Sequence, residues 1–285
     1  MKTGLVLEGG AMRGMYTAGV LDVMMENDIH VDGIVGVSAG AVFGCNYKSK
    51  QIGRAIRYNT AYCRDPRYIS VRSLITTGDL YGEQFCYHEI PDVLDPFDRE
   101  AYAANPIDFY VTCTDVHTGQ PVYHLCNKGD AEDLQWMRAS ASMPLAARVV
   151  SVSGHDLLDG GVSDSIPIAW FRSIGYDRNI VILTQPDGYR KKKSNITLLI
   201  KLALRKYPAV AEAAKTRHKR YNAALDELCE LKDSGNIFLL QPSQKIKISR
   251  TERNPDILQE QYQLGRLDAL ASKDAMQRFV RDENE

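Results

Sequence analysis

The stretch Asp32–Gly44, "DGIVGVSAGAVFG", constrains the fold more than any other part of this chain. An apolar run leads into Gly36-Val37-Ser38-Ala39-Gly40, and helix-forming residues follow at once. G-x-S-x-G between a strand and a helix is the nucleophile-elbow pattern. The glycines permit a tight turn, and the serine stands at a helix N-terminus, where unpaired amides and the helix dipole favour developing negative charge. Such a turn needs a buried strand before it and a helix after it, the repeating unit of a parallel α/β sheet.

The same unit occurs once upstream. "TGLVLEGG" reads as a short buried strand ending in a glycine-rich turn, and "MRGMYTAGVLDVMMEN" places Met12, Tyr16, Val20, Val23 and Met24 at helical spacing. After the serine turn, "AGAVFGCNYKSKQIGRAIRY" is again helix-like. This rhythm predicts a mainly parallel sheet with right-handed crossovers. Farther on, "PIDFYVTCTDV" and "QPVYHLC", separated by "HTG", predict an antiparallel hairpin. "AEDLQWMRASASM" predicts a helix ending before Pro144, and "ARVVSVSGHDLLDGG" a strand, a turn and a return strand. "RNIVILTQP" and "GNIFLLQP" predict two more strands, with a long helical region from Ile196 to Lys232 between them. Asn254 as N-cap and Pro255 at the first helical position open a final helix. No internal repeat or linker interrupts the chain. The expectation is one domain over residues 1–285: a core at about 4–185, a helical elaboration at about 190–235, and a closing strand and helix at about 236–281.

A serine hydroxyl needs a base to become a nucleophile, and histidine fits badly here. In α/β-hydrolases the order is serine, acid, histidine, usually with several strands before the elbow. Only about two strands precede Ser38, and the one histidine after Asp159 is His218, inside the basic stretch "KTRHKRY". His88, His117, His124 and His155 have no distinctive setting.

Two other stretches supply what the serine lacks. "EGGAMRG", Glu8 to Gly14, places backbone amides and Arg13 at a helix N-terminus, a ready site for an oxyanion or a phosphate. It is not a Walker A loop, because Met15-Tyr16 follows Gly14, and Ala11 breaks the dinucleotide fingerprint. In "LLDGGV", Asp159 leaves an apolar strand into Gly160-Gly161. Taken alone, Asp-Gly-Gly is also ordinary turn chemistry.

In combination and in this order, Gly9-Gly10-Ala11-Met12-Arg13-Gly14, Gly36-Val37-Ser38-Ala39-Gly40 and Asp159-Gly160-Gly161 resemble the motifs of the patatin-like phospholipase family. "ASASMP" before Asp159 and the "QYQLGRLDA" helix are similar too, and the resemblance covers roughly residues 4–185. It implies a three-layer α/β/α fold with a mainly parallel central sheet and a helical C-terminal elaboration. It also implies a lipid acyl hydrolase in which Ser38 is the nucleophile and Asp159 the general base. The first loop (Gly9, Gly10, Ala11, Arg13 and Gly14) would form the oxyanion hole. Gly36 and Gly40 would shape the elbow, and Gly160 and Gly161 the aspartate turn. Family members often carry a third consecutive glycine where this chain has Ala11, and a positive φ there would strain alanine. Free aspartate, with a pKa near about 4, is a weak base, but burial disfavours its charged form and raises its basicity.

Charge is unevenly spread. From Arg190 to Arg220 eleven Lys and Arg face the single Glu212, a local net of +10 in a chain of net −1. There "ITLLIKLALRKY" sets Ile196, Leu199, Ile200, Ala203, Leu204 and Tyr207 along one stripe, opposite Thr197, Lys201 and Arg205. Such a helix suits either an ordinary docked face or peripheral contact with an anionic membrane, and the docked face is the commoner case. Nucleic acid is not expected as a partner, since aromatics are not interleaved with the basic residues. The six cysteines form no C-x-x-C pair, so neither a zinc site nor a disulfide framework is read, and no metal or cofactor is called for. No signal-peptide core or spanning run is visible, and the expected location is cytoplasmic, with peripheral contact at the inner membrane surface. The partner expected is a lipid or other acyl-ester substrate. Two other readings stand beside it: a non-catalytic protein that binds a lipid or phosphorylated ligand, and a Ser-His-Asp esterase.

Overall fold

In the computed structural model, which describes residues 1–245 and 247–281, the strand–turn–helix rhythm assembles into one eight-stranded sheet. The chain opens with β1 (Thr3–Leu7), a 3-10 turn at Ala11–Gly14, and α1 (Met15–Glu26). Next come β2 (Gly33–Val37), α2 (Ala39–Lys48) and α3 (Arg54–Tyr62). The helix expected across residues 39–58 is thus two helices, because Lys50 and Gly53 take left-handed backbone (φ 55° and 73°) and break the ladder. A layer that the sequence left unread follows: α4 (Val71–Thr77), a π-helical stretch at Phe85–Leu94, and α5 (Arg99–Ala104).

The expected hairpin is β3 (Asp108–Asp115) and β4 (Pro121–Leu125), paired antiparallel. After α6 (Ala131–Ala141), β5 (Val150–Val152) and β6 (His155–Asp159) form the strand and return strand. Beyond α7 (Ile168–Ser173) and β7 (Arg178–Ile182), the helical region divides into α8 (Thr197–Ala203) and α9 (Pro208–Asp233). Pro208 causes the division: it restricts Tyr207 to non-helical backbone and begins the second helix at a position that needs no amide. Finally β8 (Ile237–Leu240) and α10 (Pro255–Arg281) close the chain.

The strand order is β5-β6-β3-β2-β1-β7-β8, with β4 beside β3, and the neighbours from β3 to β8 run parallel. Alternation along the central strands builds three layers. Leu5, Leu7, Ile180 and Ile182 face a core with α1, α2, α6 and α10. Val6, Val35 and Val181 face the opposite way, toward α7 and α9. This is the expected α/β/α arrangement, with both sheet faces covered as near-continuous apolar strands require. The "QYQLGRLDA" segment explains itself here. A Cβ on Gly265 would stand 2.0 Å from the carbonyl oxygen of Tyr16, so only glycine permits this crossing of α10 on α1. Tyr262 donates to Asp22 at 2.6 Å, and Arg266 pairs with Glu26 at 2.8 Å.

The stripe on α8 does not behave as one face. Ile200 is buried, with Leu204 and Tyr207 half-buried beside it, against Val210 and Leu158. Leu198, Leu199 and Leu202 stand 66%, 56% and 65% exposed, next to exposed Lys201 and Arg205. No described helix is long and apolar enough to cross a membrane.

Candidate active site

Ser38 is the single residue between β2 and α2, and its backbone is at φ 54°, ψ −120°. For a residue with a Cβ this conformation costs on the order of 1–3 kcal/mol, so the surroundings must impose it. They do. The Ser38 amide donates to Ser140 Oγ at 2.8 Å, and Ser140 donates onward to the carbonyl of Thr112 at 2.6 Å. On the other side the Ser38 carbonyl accepts from Ala41 and Val42 at 3.0 and 3.1 Å. The glycine-rich loop closes over the elbow: a Cβ on Gly9 would lie 2.8 Å from both Ser38 Cβ and the Val37 carbonyl oxygen. Among the described residues the amides of Gly9, Gly10 and Ala39 have no acceptor, whereas Arg13 N–H donates to the Gly10 carbonyl at 3.2 Å. Ala11 takes φ 50°, so alanine here carries the strain that a third glycine would avoid.

Asp159 reaches Ser38 through the register of β3. Thr112 is flanked by Val37 of β2 and Tyr123 of β4, and the next residue, Cys113, by Asp159 of β6 and Val122 of β4. One edge of β3 therefore belongs to β4, while on the other β2 hands over to β6 between Thr112 and Cys113. Ser38 and Asp159 meet at that handover, where both line the smaller of two clefts and the Ser38 side chain lies near enough to the Asp159 carboxyl to stabilise its charged form. The aspartate is anchored independently: its amide donates to the Ser142 carbonyl at 2.8 Å, its carbonyl accepts from Thr114 Oγ1 at 2.8 Å, and its Oδ1 accepts from Gly161 N–H at 2.7 Å. Burial pushes this carboxyl above the ordinary carboxylate range. Arg217, the nearby Ser38 hydroxyl, the Gly161 amide and Arg250 pull the other way without overcoming it.

Two clefts meet at Ser38. The larger, about 1150 Å³ with its open mouth included, is apolar and has walls from Met12, Phe43, Tyr58, Tyr68, Tyr87 and Met137. The smaller is lined by Gly9, Gly10, Ala11, Arg13, Asp159 and Gly161, together with Lys191, Arg217 and Arg250. Gly14, Gly36, Gly40 and Gly160 sit behind the surface, packed on Phe43, Ala41, Leu7 and Thr112 respectively.

No histidine lines either cleft. His117 pairs with Asp156 at 3.1 Å on the exposed side, and His124 stacks on Trp136 at 4.0 Å. His124, Cys126 and Asp133 do bring three ligand atoms within 4.8 Å of one another. Asp133 is already held by the amides of Lys128 and Gly129 at 2.8 and 2.7 Å, and burial keeps the Cys126 thiol protonated. None of the three reaches the clefts.

The sequence reading missed Ser140 and Ala39, although both lie in stretches it singled out, "ASASMP" and "GVSAG". It also missed the wall of the apolar cleft between Tyr58 and Phe97, where the aromatic-rich "YISVRSLITTGDLYGEQFCYHEI" was the available signal.

Comparison with known proteins points the same way. A family model described as patatin-like phospholipase matches residues 5–171, and one for a domain of unknown function, DUF6363, matches residues 207–281. The chain is 32% identical over 193 residues to the uncharacterized protein YjjU of Escherichia coli (strain K12), covering 64% of this chain and 52% of that protein. It is 26% identical over 181 residues to lysophospholipase nte1 of Aspergillus oryzae, covering 61% of this chain and 11% of that one. The chain thus spans about half of the first relative and about a tenth of the second. The crystal structure of VipD from Legionella pneumophila aligns with 96% of this chain and 67% of its own at 11% identity and a TM-score of 0.48, too loose a match to carry an argument.

Proposed function

The chain belongs to the patatin-like phospholipase family, and on that footing we propose that it is a serine acyl hydrolase that cleaves lipid carboxylic esters through a Ser38–Asp159 dyad. The observation that carries the reading is a strained serine, beside a buried carboxyl of raised pKa, at the mouth of a large apolar cleft.

The acyl chain lies in the apolar cleft, with the ester carbonyl over Ser38. Ser38 Oγ attacks the carbonyl carbon while its proton passes to the Asp159 carboxylate. The unclaimed amides of Gly9, Gly10 and Ala39 receive the oxyanion, with the N-terminus of α2 behind them. The tetrahedral intermediate collapses, the ester C–O bond breaks, and Asp159 returns the proton to the departing alcohol. Water then attacks the acyl-enzyme with Asp159 as base, and the carboxylic acid leaves as Ser38 regains its proton. The histidine-free clefts favour a dyad over a Ser-His-Asp triad.

In this reading the segment 207–281 is part of the same domain, since β8 extends the sheet beside β7 and α10 covers α1. The exposed leucines of α8, flanked by Lys192, Lys193, Lys201 and Arg205, bring the site to an anionic lipid surface. Labelling with a fluorophosphonate, located by peptide mass spectrometry, tests the chemistry without a choice of substrate. Label on Ser38, together with ester turnover that is lost in Ser38→Ala, is the expected result. A folded protein that stays unlabelled and turns over no ester would sink the proposal in favour of a non-catalytic binding protein.

A further inference from the structure

The smaller cleft has a charge that ester hydrolysis does not require. Four cations line it, each from a different segment: Arg13 from the glycine-rich loop, Lys191 from the β7–α8 connection, Arg217 from α9, and Arg250 from the β8–α10 connection. The last three lie outside the span matched by the patatin-like model. Among the described residues none of the four has a carboxylate within 4.0 Å. Arg13 Nε is buried with no hydrogen-bond partner. Lys191 rests over the ring of Tyr221 at 4.2 Å, and that tyrosine donates to the buried Glu8 at 2.7 Å. Arg217 has one weak contact, to Ser165 Oγ at 3.4 Å. The site a Gly161 Cβ would fill lies 2.9 Å from Arg217 Nη2 and 3.0 Å from Asp159 Oδ1, so this guanidinium borders the dyad.

Collecting like charges in a partly closed cleft is unfavourable, and the cost is visible. Burial first, then Arg217, with Arg250 and Arg13 adding to it, pushes the Lys191 ammonium down to about 7 against the pull of Glu8. An anion entering the cleft would relieve that repulsion, and guanidinium forks match phosphate oxygens in geometry.

We infer that the cleft formed by Arg13, Lys191, Arg217 and Arg250 is a phosphate subsite that receives the phosphorylated head of the ester held at Ser38. The inference rests on the hydrolase reading for its substrate, and it narrows that substrate to acyl esters bearing a phosphate close to the scissile bond. It also assigns a task to two members of the basic segment 190–220. Lys191 and Arg217 line the site, whereas Lys192, Lys193 and Lys201 face solvent.

The test uses a matched pair of short-chain esters, a monoacylglycerol and its glycerol phosphate counterpart, with the wild-type chain and Lys191→Gln/Arg250→Gln. Neither substituted residue is part of the dyad or the elbow. In wild type the phosphorylated ester is preferred. In the double variant the ratio of the two kcat/KM values falls by at least about tenfold, chiefly through KM, as expected for the loss of charge-assisted hydrogen bonds. Lys191→Arg with Arg250 intact retains the preference.

Binding of inorganic phosphate and of glycerol 3-phosphate, followed by 31P NMR, is a readout that needs no catalysis. If phosphate binds to wild type and is lost in the double variant while no ester is hydrolysed, the subsite stands and the hydrolase reading falls. Phosphate binding without any preference between the two esters would assign the subsite to free phosphate rather than a lipid head. The inference is overturned if both esters are turned over equally by wild type and neither phosphate probe distinguishes wild type from the double variant.

Discussion

Replacing Asp159 with asparagine separates position from proton transfer. The backbone at this residue is held by the Ser142 carbonyl, by Thr114 Oγ1 and by the pairing with Cys113, none of which involves the carboxyl. A carboxamide oxygen can still accept the Gly161 amide that Oδ1 now accepts at 2.7 Å. What is lost is the capacity to take the Ser38 proton. Loss of a general base costs about 10²–10⁴ in rate, which is about 3–5 kcal/mol of transition-state stabilisation.

The assay is the rate of fluorophosphonate labelling at Ser38 between pH 4 and 9. The wild-type rate should rise with pH as Asp159 deprotonates, with its midpoint above the ordinary carboxylate value of about 4, because burial raises this group. Asp159→Asn should be slower by that factor and lack the rising limb. Stability should move the other way. The folded form binds the Asp159 proton more tightly than the unfolded chain does. Its contribution is therefore complete below the unfolded pKa and is lost as pH rises through the raised folded value. The asparagine variant escapes this loss, so at neutral pH it should melt no lower than wild type. A variant labelled within tenfold of wild type at pH 7, with the same limb, would refute the assignment of Asp159 as base. His155→Gln and His218→Gln should leave the labelling rate unchanged.

Three further outcomes can be measured directly. Ala11→Gly removes strain of about 1–2 kcal/mol and gives back about 0.4–1 kcal/mol in unfolded-chain freedom; scanning fluorimetry should show a small rise in Tm, and a fall would mean that the methyl packs more usefully than its φ of 50° costs. Ser140→Ala strips the partner from the buried Ser38 amide and from the Thr112 carbonyl; a loss of about 1–3 kcal/mol by denaturant titration is expected, together with slower labelling. Leu199→Ser/Leu202→Ser removes two exposed apolar side chains from α8; partitioning onto phosphatidylserine-containing vesicles should weaken by about tenfold or more, while Tm and the hydrolysis of a soluble ester hold.

The parts legible in the sequence were those set by local sterics. A turn with no room for side chains demands glycine, so Gly9, Gly36, Gly40 and Gly161 marked their loops in advance. Strand and helix periodicity delivered the core of the sheet, the hairpin of β3 and β4, and the closing helix. Local breaks were harder: Lys50 in left-handed backbone and Pro208 each divided a helix that periodicity ran straight through.

The relation between distant segments was beyond any local window. Ser38 and Asp159 meet because β2 and β6 share one edge of β3, a matter of strand register. The apolar cleft depends on how residues 58–97 fold over α2. Lys191 and Arg217 read along the chain as members of one basic segment and Arg250 as a lone surface charge, and they share a cleft with the nucleophile only because α9 and two connections beyond the patatin-like match converge on it. Backbone conformation answers to nearest neighbours and so is written in the sequence locally. Which side chains face one another is decided by the packing of the whole sheet and its two helical layers.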